Sequence, residues 1–406
     1  MPEVVSVCIV GGGVIGCAIA WELSRQGREG IVLLERNGSI RGENQSSRNS
    51  GVIHAGIYYP KEVEPLKARL CVEGNRLLYE FCQEHGVPHR KTGKLVVATD
   101  PVEETYLDYL ERVSRENGVT GVVRVDRAGV GNREPNVEAW SALFCPTTGI
   151  VDATELVLTL ARLAASNGVI LATGHEVVDC RPRTNGFRVT AKVRNRTESI
   201  DARILINAAG LYSDVIARMV NPESPYRYAP IRGESAKFYR TKRPDLSMNG
   251  MSVYPVPCGH FPDGSRLDVP FDEFQELHRA GEVSMTTGIH LTPTLDKLGE
   301  EVVIGDTVTI GPAYSVGMVD REDYRQTRDE RYHLDMVRPF FPNLRLEDLT
   351  LHQAGINAKL PGRPDFVIER DPEHPACINL LGITSPGLTS SLAIARHVRE
   401  MLSSPA

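Results

Sequence analysis

The chain opens with a strand-length run of apolar, β-branched residues, Val4 to Val10, which leads directly into Gly11-Gly12-Gly13-Val14-Ile15-Gly16. Glycine thus fills the first, third and sixth positions of the dinucleotide-binding fingerprint. Gly11 permits a tight turn, Gly13 lets a pyrophosphate approach the backbone, and Gly16 permits close packing of strand and helix. The chain is therefore predicted to start as a strand, a glycine turn and a helix.

The helix and a second strand follow at the spacing that a nucleotide-binding unit requires. Val14 to Arg25 predicts the helix, whose N-terminus offers N–H groups and a positive dipole end to phosphates. The next strand, Ile31-Val32-Leu33-Leu34-Glu35, ends in a carboxylate at the position that accepts ribose hydroxyls. A free 2′-hydroxyl fits beside Glu35, whereas a 2′-phosphate would be repelled. The glycines alone are as typical of a strand–turn–helix that only packs closely as of one that binds a nucleotide. Strand, glycines, helix, strand and Glu35 in this order predict nucleotide binding.

Length and charge narrow the class of protein. The 406 residues are 41% hydrophobic and 24% charged, with a formal net charge of −6, so we expect a large core and about two domains. No long basic run is present, which argues against nucleic acid as a partner. Residues 4–20 lack a basic leader and contain the fingerprint, so they predict folded structure rather than a signal peptide. No spanning membrane segment is predicted, and we expect a cytoplasmic protein, with peripheral contact to the inner membrane left open.

The cysteines predict neither a disulfide framework nor a metal site. Eight are scattered without a C-x-x-C pair or zinc spacing: Cys8, Cys17, Cys71, Cys82, Cys145, Cys180, Cys258 and Cys377. Most fall in apolar strand or helix contexts. Free, mostly buried thiols in a reducing compartment are therefore expected.

Periodicity divides the rest of the chain between helices and strands. Helices are predicted over 63–85, 103–117 and 153–166, the last capped by Asp152, and in the C-terminal segment through Met401. Strands are predicted over 94–98, 169–178, 187–193, 204–206, 252–256, 288–292 and 378–382. From about Tyr228 to Pro312, short strands punctuated by Pro and Gly predict an antiparallel sheet.

Two of these strands, 252–256 and 288–292, are predicted to be neighbours although a segment of some thirty residues, far longer than a hairpin loop, separates them. The core of this insertion, Pro270 to Gly281, has weak helical spacing and mixed charge. A lid over a substrate cleft and a solvated surface excursion both fit it, and the excursion is slightly favoured.

The chain resembles the D-amino-acid-oxidase-type FAD-dependent oxidoreductases nearly end to end, and most of all their L-2-hydroxyglutarate dehydrogenase/oxidase branch. The motifs that carry the resemblance are Gly11 to Gly16 with Glu35, the loop Arg48-Asn49-Ser50-Gly51-Val52-Ile53-His54-Ala55-Gly56-Ile57-Tyr58-Tyr59, and the segments 149–152, 207–210, 232–234, 254–257, 288–292 and 385–389.

This resemblance implies an α/β (α+β two-domain) fold. A Rossmann-like FAD-binding domain would comprise 1–85, 150–227 and 350–406, and a discontinuous antiparallel-sheet substrate domain would comprise 86–149 and 228–349. The residues implied to hold FAD are Gly11, Gly13, Val14, Ile15, Gly16, Glu35, Arg36, Ser47, Arg48, Asn49, Ser50, Gly51, His54, Val177, Ala208, Gly210, Gly355, Pro386, Gly387, Leu388 and Thr389.

The implied reaction is oxidation of a carbon that bears a hydroxyl or amine next to a carboxylate. Hydride would pass to the flavin while a protein base takes a proton, and electrons would then leave to oxygen, a quinone or a carrier protein. A small 2-hydroxy acid resembling L-2-hydroxyglutarate is the expected substrate. An amino-acid or opine-type amine oxidase and a non-catalytic flavin-binding subunit are the alternatives.

Four residues are candidates for the chemistry. His290 lies in an alternating strand and is the first choice for general base, although a sheet histidine without catalytic function is nearly as common. His54 is expected to contact the flavin, with or without a covalent bond to it, and this role is favoured over that of general base. Tyr254 could hydrogen-bond a substrate carboxylate, and Lys359 could hold an acid group, as could Arg232.

The resemblance fails at Asn357, where the family pattern has an arginine that would grip a substrate carboxylate in two hydrogen bonds. Asparagine cannot supply that charge. The insertion 258–287 is the second departure, and both leave the substrate open.

Overall fold

A computed structural model describes residues 4–41, 44–246, 248–260, 267–280 and 282–403. Its α-helices are α1 Val14–Arg25, α2 Pro65–His85, α3 Pro101–Glu116, α4 Arg127–Arg133, α5 Ala153–Ser166, α6 Ser213–Val220, α7 Phe271–Arg279, α8 Glu330–Val337 and α9 Gly387–Ser403. Short 3₁₀ turns cover Gly210–Tyr212, Arg240–Lys242, Pro244–Leu246 and Leu346–Asp348.

The strands follow in chain order. They are β1 Val4–Val10, β2 Ile31–Glu35, β3 Val52–Ile53, β4 His89–Arg90, β5 Lys94–Ala98, β6 Val123–Asp126, β7 Ser141–Cys145, β8 Gly149–Val151, β9 Ile170–Thr173, β10 Glu176–Arg183, β11 Gly186–Val193, β12 Arg196–Asn207, β13 Ile231–Tyr239, β14 Ser252–Pro255, β15 Cys258–His260, β16 Ser284–Thr286, β17 His290–Leu298, β18 Glu301–Tyr314, β19 Thr350–Asn357, β20 Val367–Arg370 and β21 Cys377–Leu381.

The first sheet contains the predicted nucleotide-binding unit. Its strands run in the order β10-β11-β12-β1-β2-β9, and β21 joins β12 with β20 outside it. The four pairings that join β1, β2, β9, β12 and β21 to one another are parallel. Helices α1, α2, α5 and α9 contribute to one hydrophobic core on this sheet. The parallel strands bring the turns after β1 and β12 to the same edge, which is where a nucleotide binds in such sheets.

The second sheet runs β19-β13-β18-β17-β14-β5-β7-β6. The predicted neighbours 252–256 and 288–292 do pair, with Val253 opposite Leu291. One prediction is wrong in part: β14 and β5 are parallel, not antiparallel. These strands come from distant parts of the chain, so no hairpin turn forces them to run in opposite directions.

Element and domain boundaries differ from the sequence predictions in several places. The strand 169–178 divides because Gly174 turns the chain at φ +71°, after which β9 pairs with β2 and β10 with β11. Residues 350–357, assigned to the FAD-binding domain, form β19 and pair with β13 in the second sheet. The predicted helix at 103 begins at Pro101, where the Asp100 side chain accepts the Glu103 N–H. Asp152 caps α5 as predicted.

The insertion is anchored to the second sheet's side of the molecule. Its helix α7 follows the predicted weak periodicity and packs on α3, where the Phe271 ring stacks on Tyr109 at 4.2 Å. The Tyr106 hydroxyl donates to the Val269 carbonyl at 3.0 Å. Residues 261–266 and 281 of the insertion lie outside the described residues.

Candidate active site

One continuous cavity of about 1930 Å³ is lined by residues of both large sheets. Its volume is about twice that of a typical large small-molecule pocket, which leaves room for a dinucleotide and a substrate together. Predicted site residues that line it are Gly11, Gly13, Val14, Ile15, Glu35, Arg36, Arg48, Asn49, Ser50, His54, Val177, Ala208, Gly210, Tyr254, His290, Gly355, Lys359, Pro386, Gly387 and Leu388. The fold therefore brings most of the predicted cofactor and catalytic residues to one site.

The nucleotide end of the cavity is built from glycines in tight contact. Gly11 has φ +111°, and a Cβ there would lie 2.2 Å from the Ala208 carbonyl oxygen. A Cβ on Gly16 would lie 1.9 Å from the Gly11 carbonyl oxygen. Larger residues would separate the turn after β1 from α1 and from the end of β12, so these glycines keep the backbone open to a ligand.

Glu35 is buried at this end and already accepts two backbone hydrogen bonds. Its carboxylate accepts the Gly12 N–H at 2.7 Å and the Asn37 N–H at 2.9 Å. A carboxylate has about four acceptor positions, so capacity remains for two ribose hydroxyls. Arg36 beside it is held over the Tyr212 ring at 4.5 Å and paired with Glu322 at 3.1 Å.

The loop after β2 braces the first helix. The Ser46 hydroxyl accepts the Val14 N–H at 2.9 Å, which the sequence prediction missed. The Arg48 guanidinium lies 4.3 Å from the centre of the Tyr324 ring. Asn49 accepts the Gly51 N–H at 2.8 Å. These contacts hold Arg48, Asn49 and Ser50 along the cavity wall.

Four residues assigned to FAD do not line the cavity: Gly16, Ser47, Gly51 and Thr389. Gly16 packs against the Gly11 carbonyl, and Gly51, at φ +66°, packs against the Val151 carbonyl. The Thr389 hydroxyl accepts the His54 N–H at 3.0 Å. Gly16, Gly51 and Thr389 therefore support the cavity wall from behind, and contact of all four residues with FAD stays a prediction.

His54 lies where the loop, α2 and the start of α9 meet. Its Nε2 lies 3.2 Å from the Ser385 hydroxyl, which is 3.4 Å from the Tyr59 hydroxyl. Its buried Nδ1 has no hydrogen-bond partner among the described residues. Burial, and next the charge of Lys94, lower the pKa of His54 to about 3. The imidazole is therefore neutral.

His290 is buried against the ring of Tyr254. The two rings stack at 3.7 Å with an angle of 7° between their planes. Its Nδ1 lies 3.1 Å from the Thr292 hydroxyl, the same-face neighbour that strand alternation predicts. Burial, followed by His54 and Lys94, holds the pKa of His290 well below its usual value.

The sequence prediction missed Lys94, which was assigned only to a strand. Its side chain is fully buried in β5, and its ammonium donates to the Tyr58 hydroxyl at 3.1 Å. The ammonium also lies 4.3 Å from the Tyr58 ring centre and 4.5 Å from that of Tyr254. Lysine at the head of a wholly apolar strand, directly after Gly93, is the signal that could have identified it.

The two cations proposed from the sequence to hold an acid group, Arg232 and Lys359, lie in different surroundings. Arg232 is buried and paired with Glu234 at 2.9 Å and Asp323 at 2.8 Å, so it is a structural ion pair and cannot hold an acid substrate. Lys359 is exposed and lines the cavity. Asn357, in the place of the family arginine, also lines it, and its buried Oδ1 lacks a partner among the described residues.

The insertion forms part of the cavity wall. Phe271, Phe274, Gln275 and His278 of α7 line it. The interpretation of the insertion's core as a solvated surface excursion is therefore wrong for α7. This helix packs on α3 and also lines the cavity.

The family model described as FAD dependent oxidoreductase (DAO) matches residues 6–401. The chain belongs to this family. It is 31% identical to the mitochondrial L-2-hydroxyglutarate dehydrogenase of Arabidopsis thaliana over 98% of this chain and 83% of that protein. It is 30% identical to the glycerol 3-phosphate dehydrogenase of Caloramator mitchellensis over 98% of this chain and 73% of that protein.

Solved structures share the fold. The L-α-glycerophosphate oxidase of Mycoplasma pneumoniae, solved with FAD bound, matches with a TM-score of 0.82 and 24% identity over 100% of this chain and 96% of that one. Glycine oxidase from Geobacillus kaustophilus matches with a TM-score of 0.76 and 19% identity over 99% of this chain and 95% of that one. The predicted family, fold class and cofactor are confirmed, and the protein is an enzyme that uses FAD.

The geometry of the cavity fits that cofactor. The glycine turn, the unfilled acceptor positions of Glu35 and the start of α9 at Gly387 all open into it. The positive end of the α9 dipole can stabilise negative charge on a reduced flavin. Within the described ranges, no helix is long and apolar enough to cross a membrane. The cytoplasmic location stays a prediction.

Proposed function

We propose that this enzyme oxidises a small 2-hydroxy acid to the 2-oxo acid, with L-2-hydroxyglutarate as the first compound to test. One observation carries the proposal: His54 and His290, both neutral, line the same cavity as the glycine cradle and the phenols of Tyr58 and Tyr254. A neutral imidazole can accept the hydroxyl proton. The phenols can donate to a carboxylate.

His290 is the proposed general base. In the tautomer whose Nδ1–H donates to Thr292, its Nε2 is an acceptor. The stacked Tyr254 ring fixes the plane of the imidazole, which limits the positions from which it can take a proton. Bound FAD supplies the hydride acceptor.

His54 is proposed to hold the flavin side of the site. Its main chain is tied to Thr389 and its Nε2 to Ser385, both at the α9 end of the cavity. Free flavin after denaturation would exclude a covalent link at His54.

Oxidation of glycerol 3-phosphate is the second candidate. It rests on the 30% identity over 98% of the chain to a protein of that name, and on Asn357, which removes the charge that the 2-hydroxy-acid pattern carries there. Both reactions oxidise a secondary alcohol in an anionic compound.

Anaerobic titration of the yellow holoenzyme tests the proposal. L-2-Hydroxyglutarate, lactate, glycerol 3-phosphate and several 2-amino acids are added separately, and flavin absorbance is followed. Bleaching by a 2-hydroxy acid supports the proposal, and bleaching only by glycerol 3-phosphate or an amine refutes it in favour of that substrate class. No bleaching by any compound refutes both candidate reactions. Reoxidation with oxygen or a quinone then identifies the proposed electron acceptor.

A further inference from the structure

Lys94 is a buried cation that the proposed mechanism does not use. Its side chain is 0% exposed. No ion pair joins it to any carboxylate in the part of the chain that the structure describes. Its polar contact is the Tyr58 hydroxyl, and its ammonium is flanked by the rings of Tyr58 and Tyr254.

The Lys94 ammonium therefore has aromatic rings and a hydroxyl around it but no negatively charged partner among the described residues. A buried charge is normally paired, because removal from water without a partner is costly. Aromatic faces offset only part of that cost, and burial lowers the pKa of Lys94 to about 8. A negative group bound nearby would therefore stabilise the charged ammonium.

Tyr58 connects Lys94 to the cavity, because it contacts both. Lys94 itself does not line the cavity, whereas Tyr58 and Tyr254 do. An ammonium can only donate, so the Tyr58 oxygen accepts its hydrogen bond. The phenolic hydrogen of Tyr58 then remains for an acceptor on the cavity side.

We propose that Lys94 is a positioning residue for the substrate carboxylate: it orients the Tyr58 hydroxyl toward the acid and supplies the positive field that Asn357 does not. This inference rests on the proposed function, since it assumes that an acid occupies this end of the cavity. It predicts selection for one carboxylate next to the reacting carbon, because one buried charge is available there.

The pH dependence of acid binding follows from the groups around the ammonium. Those that titrate and face it are the phenols of Tyr58 and Tyr254, the thiols of Cys71 and Cys145, and the imidazoles of His54 and His290. Burial keeps the pKa of each phenol and thiol above its ordinary value and that of each imidazole below it. Lys94 is therefore the group among them expected to lose charge near pH 8.

Binding of an unreactive acid to the holoenzyme tests the role directly. Propionate is titrated and its dissociation constant is taken from the change in flavin absorbance, with propionamide as the neutral probe. Lys94→Met should weaken propionate at least 10-fold and leave propionamide unchanged. In the wild type, propionate binding should weaken above about pH 8, and in Lys94→Met it should not depend on pH there. Lys91→Met, an exposed lysine three positions away, is the matched control.

Tyr58→Phe provides a second, independent variant should Lys94→Met fail to retain flavin. It should also weaken propionate at least 10-fold, and the double variant should bind no more weakly than Lys94→Met alone, because the two residues act in series. Unchanged propionate binding in either single variant overturns the inference.

The outcome separates this inference from the proposed function. If no acid bleaches the flavin but propionate binding still depends on Lys94, the carboxylate site stands and the oxidation proposal fails. If 2-hydroxy acids bleach the flavin and Lys94→Met binds propionate like the wild type, the oxidation proposal stands and the role of Lys94 is refuted.

Discussion

Replacement of Glu35 by glutamine should weaken FAD binding by a predictable amount. The wild-type carboxylate accepts the Gly12 and Asn37 N–H groups at 2.7 and 2.9 Å, which leaves about two of its four acceptor positions for the ribose. A glutamine amide has one oxygen with two positions, and its NH₂ group cannot accept. At least two of the four donors, the two backbone N–H groups and the two ribose hydroxyls, therefore lose their acceptor.

The magnitude follows from the bonds that are lost. A hydrogen bond to a charged group contributes about 1.5–3 kcal/mol, so the loss of one ribose bond should weaken FAD about 10- to 150-fold. A backbone N–H left without an acceptor at this buried site should destabilise the apoprotein by about 1–3 kcal/mol. The two effects are measured separately.

Rebinding of FAD to apoprotein, followed by quenching of flavin fluorescence, gives the first quantity, and thermal unfolding of the apoprotein gives the second. Glu29→Gln removes the same charge at an exposed position just before β2 and is the control. The reasoning is refuted if Glu35→Gln binds FAD as tightly as Glu29→Gln does.

Three further substitutions, one of them with a matched control, test the site and the packing behind it. His290→Gln should slow flavin reduction by at least about 100-fold in stopped-flow experiments while FAD stays bound, and retained turnover would contradict its role as base. Gly74→Ala should lower the melting temperature despite the better helix propensity of alanine, because its Cβ would lie 2.4 Å from the Thr389 carbonyl oxygen. Gly131→Ala, in α4 with open space around it, should raise it slightly, and equal shifts would contradict the packing argument. Asn357→Arg should tighten binding of L-2-hydroxyglutarate about 10-fold or more, measured by absorbance titration, and an unchanged dissociation constant would exclude this position as a carboxylate contact.

The nucleotide end of the site could be predicted because its determinants are local. Gly11, Gly16 and Glu35 act within one strand–turn–helix–strand unit, where spacing fixes geometry. The pairing of Val253 with Leu291 could also be predicted, since both strands carry their own periodicity and turn residues. The parallel pairing of β5 with β14 could not, because strand direction between distant segments depends on the whole topology.

The substrate end was harder to predict because its contacts join distant parts of the chain. Lys94 reaches Tyr58 across 36 residues, and His54 reaches Ser385 across 331. A sequence pattern identifies a histidine as a candidate site residue. It does not show which side chains surround that histidine or whether a lysine is buried. Arg232 illustrates the opposite error, since a cation that could have held a substrate is already paired with Glu234 and Asp323.

The buried ammonium also links acid binding to the strength of the base. Burial lowers the pKa of both His54 and His290 most, and the charge of Lys94 lowers both further, which makes each imidazole a weak proton acceptor. A carboxylate bound at Tyr58 would offset that charge and raise both pKa values toward the range in which general bases work best. A neutral amide of the substrate, such as lactamide in place of lactate, should therefore reduce the flavin more slowly even when the site is saturated. Equal limiting rates for the acid and its amide, measured by anaerobic stopped flow, would show that the carboxylate contributes only to binding.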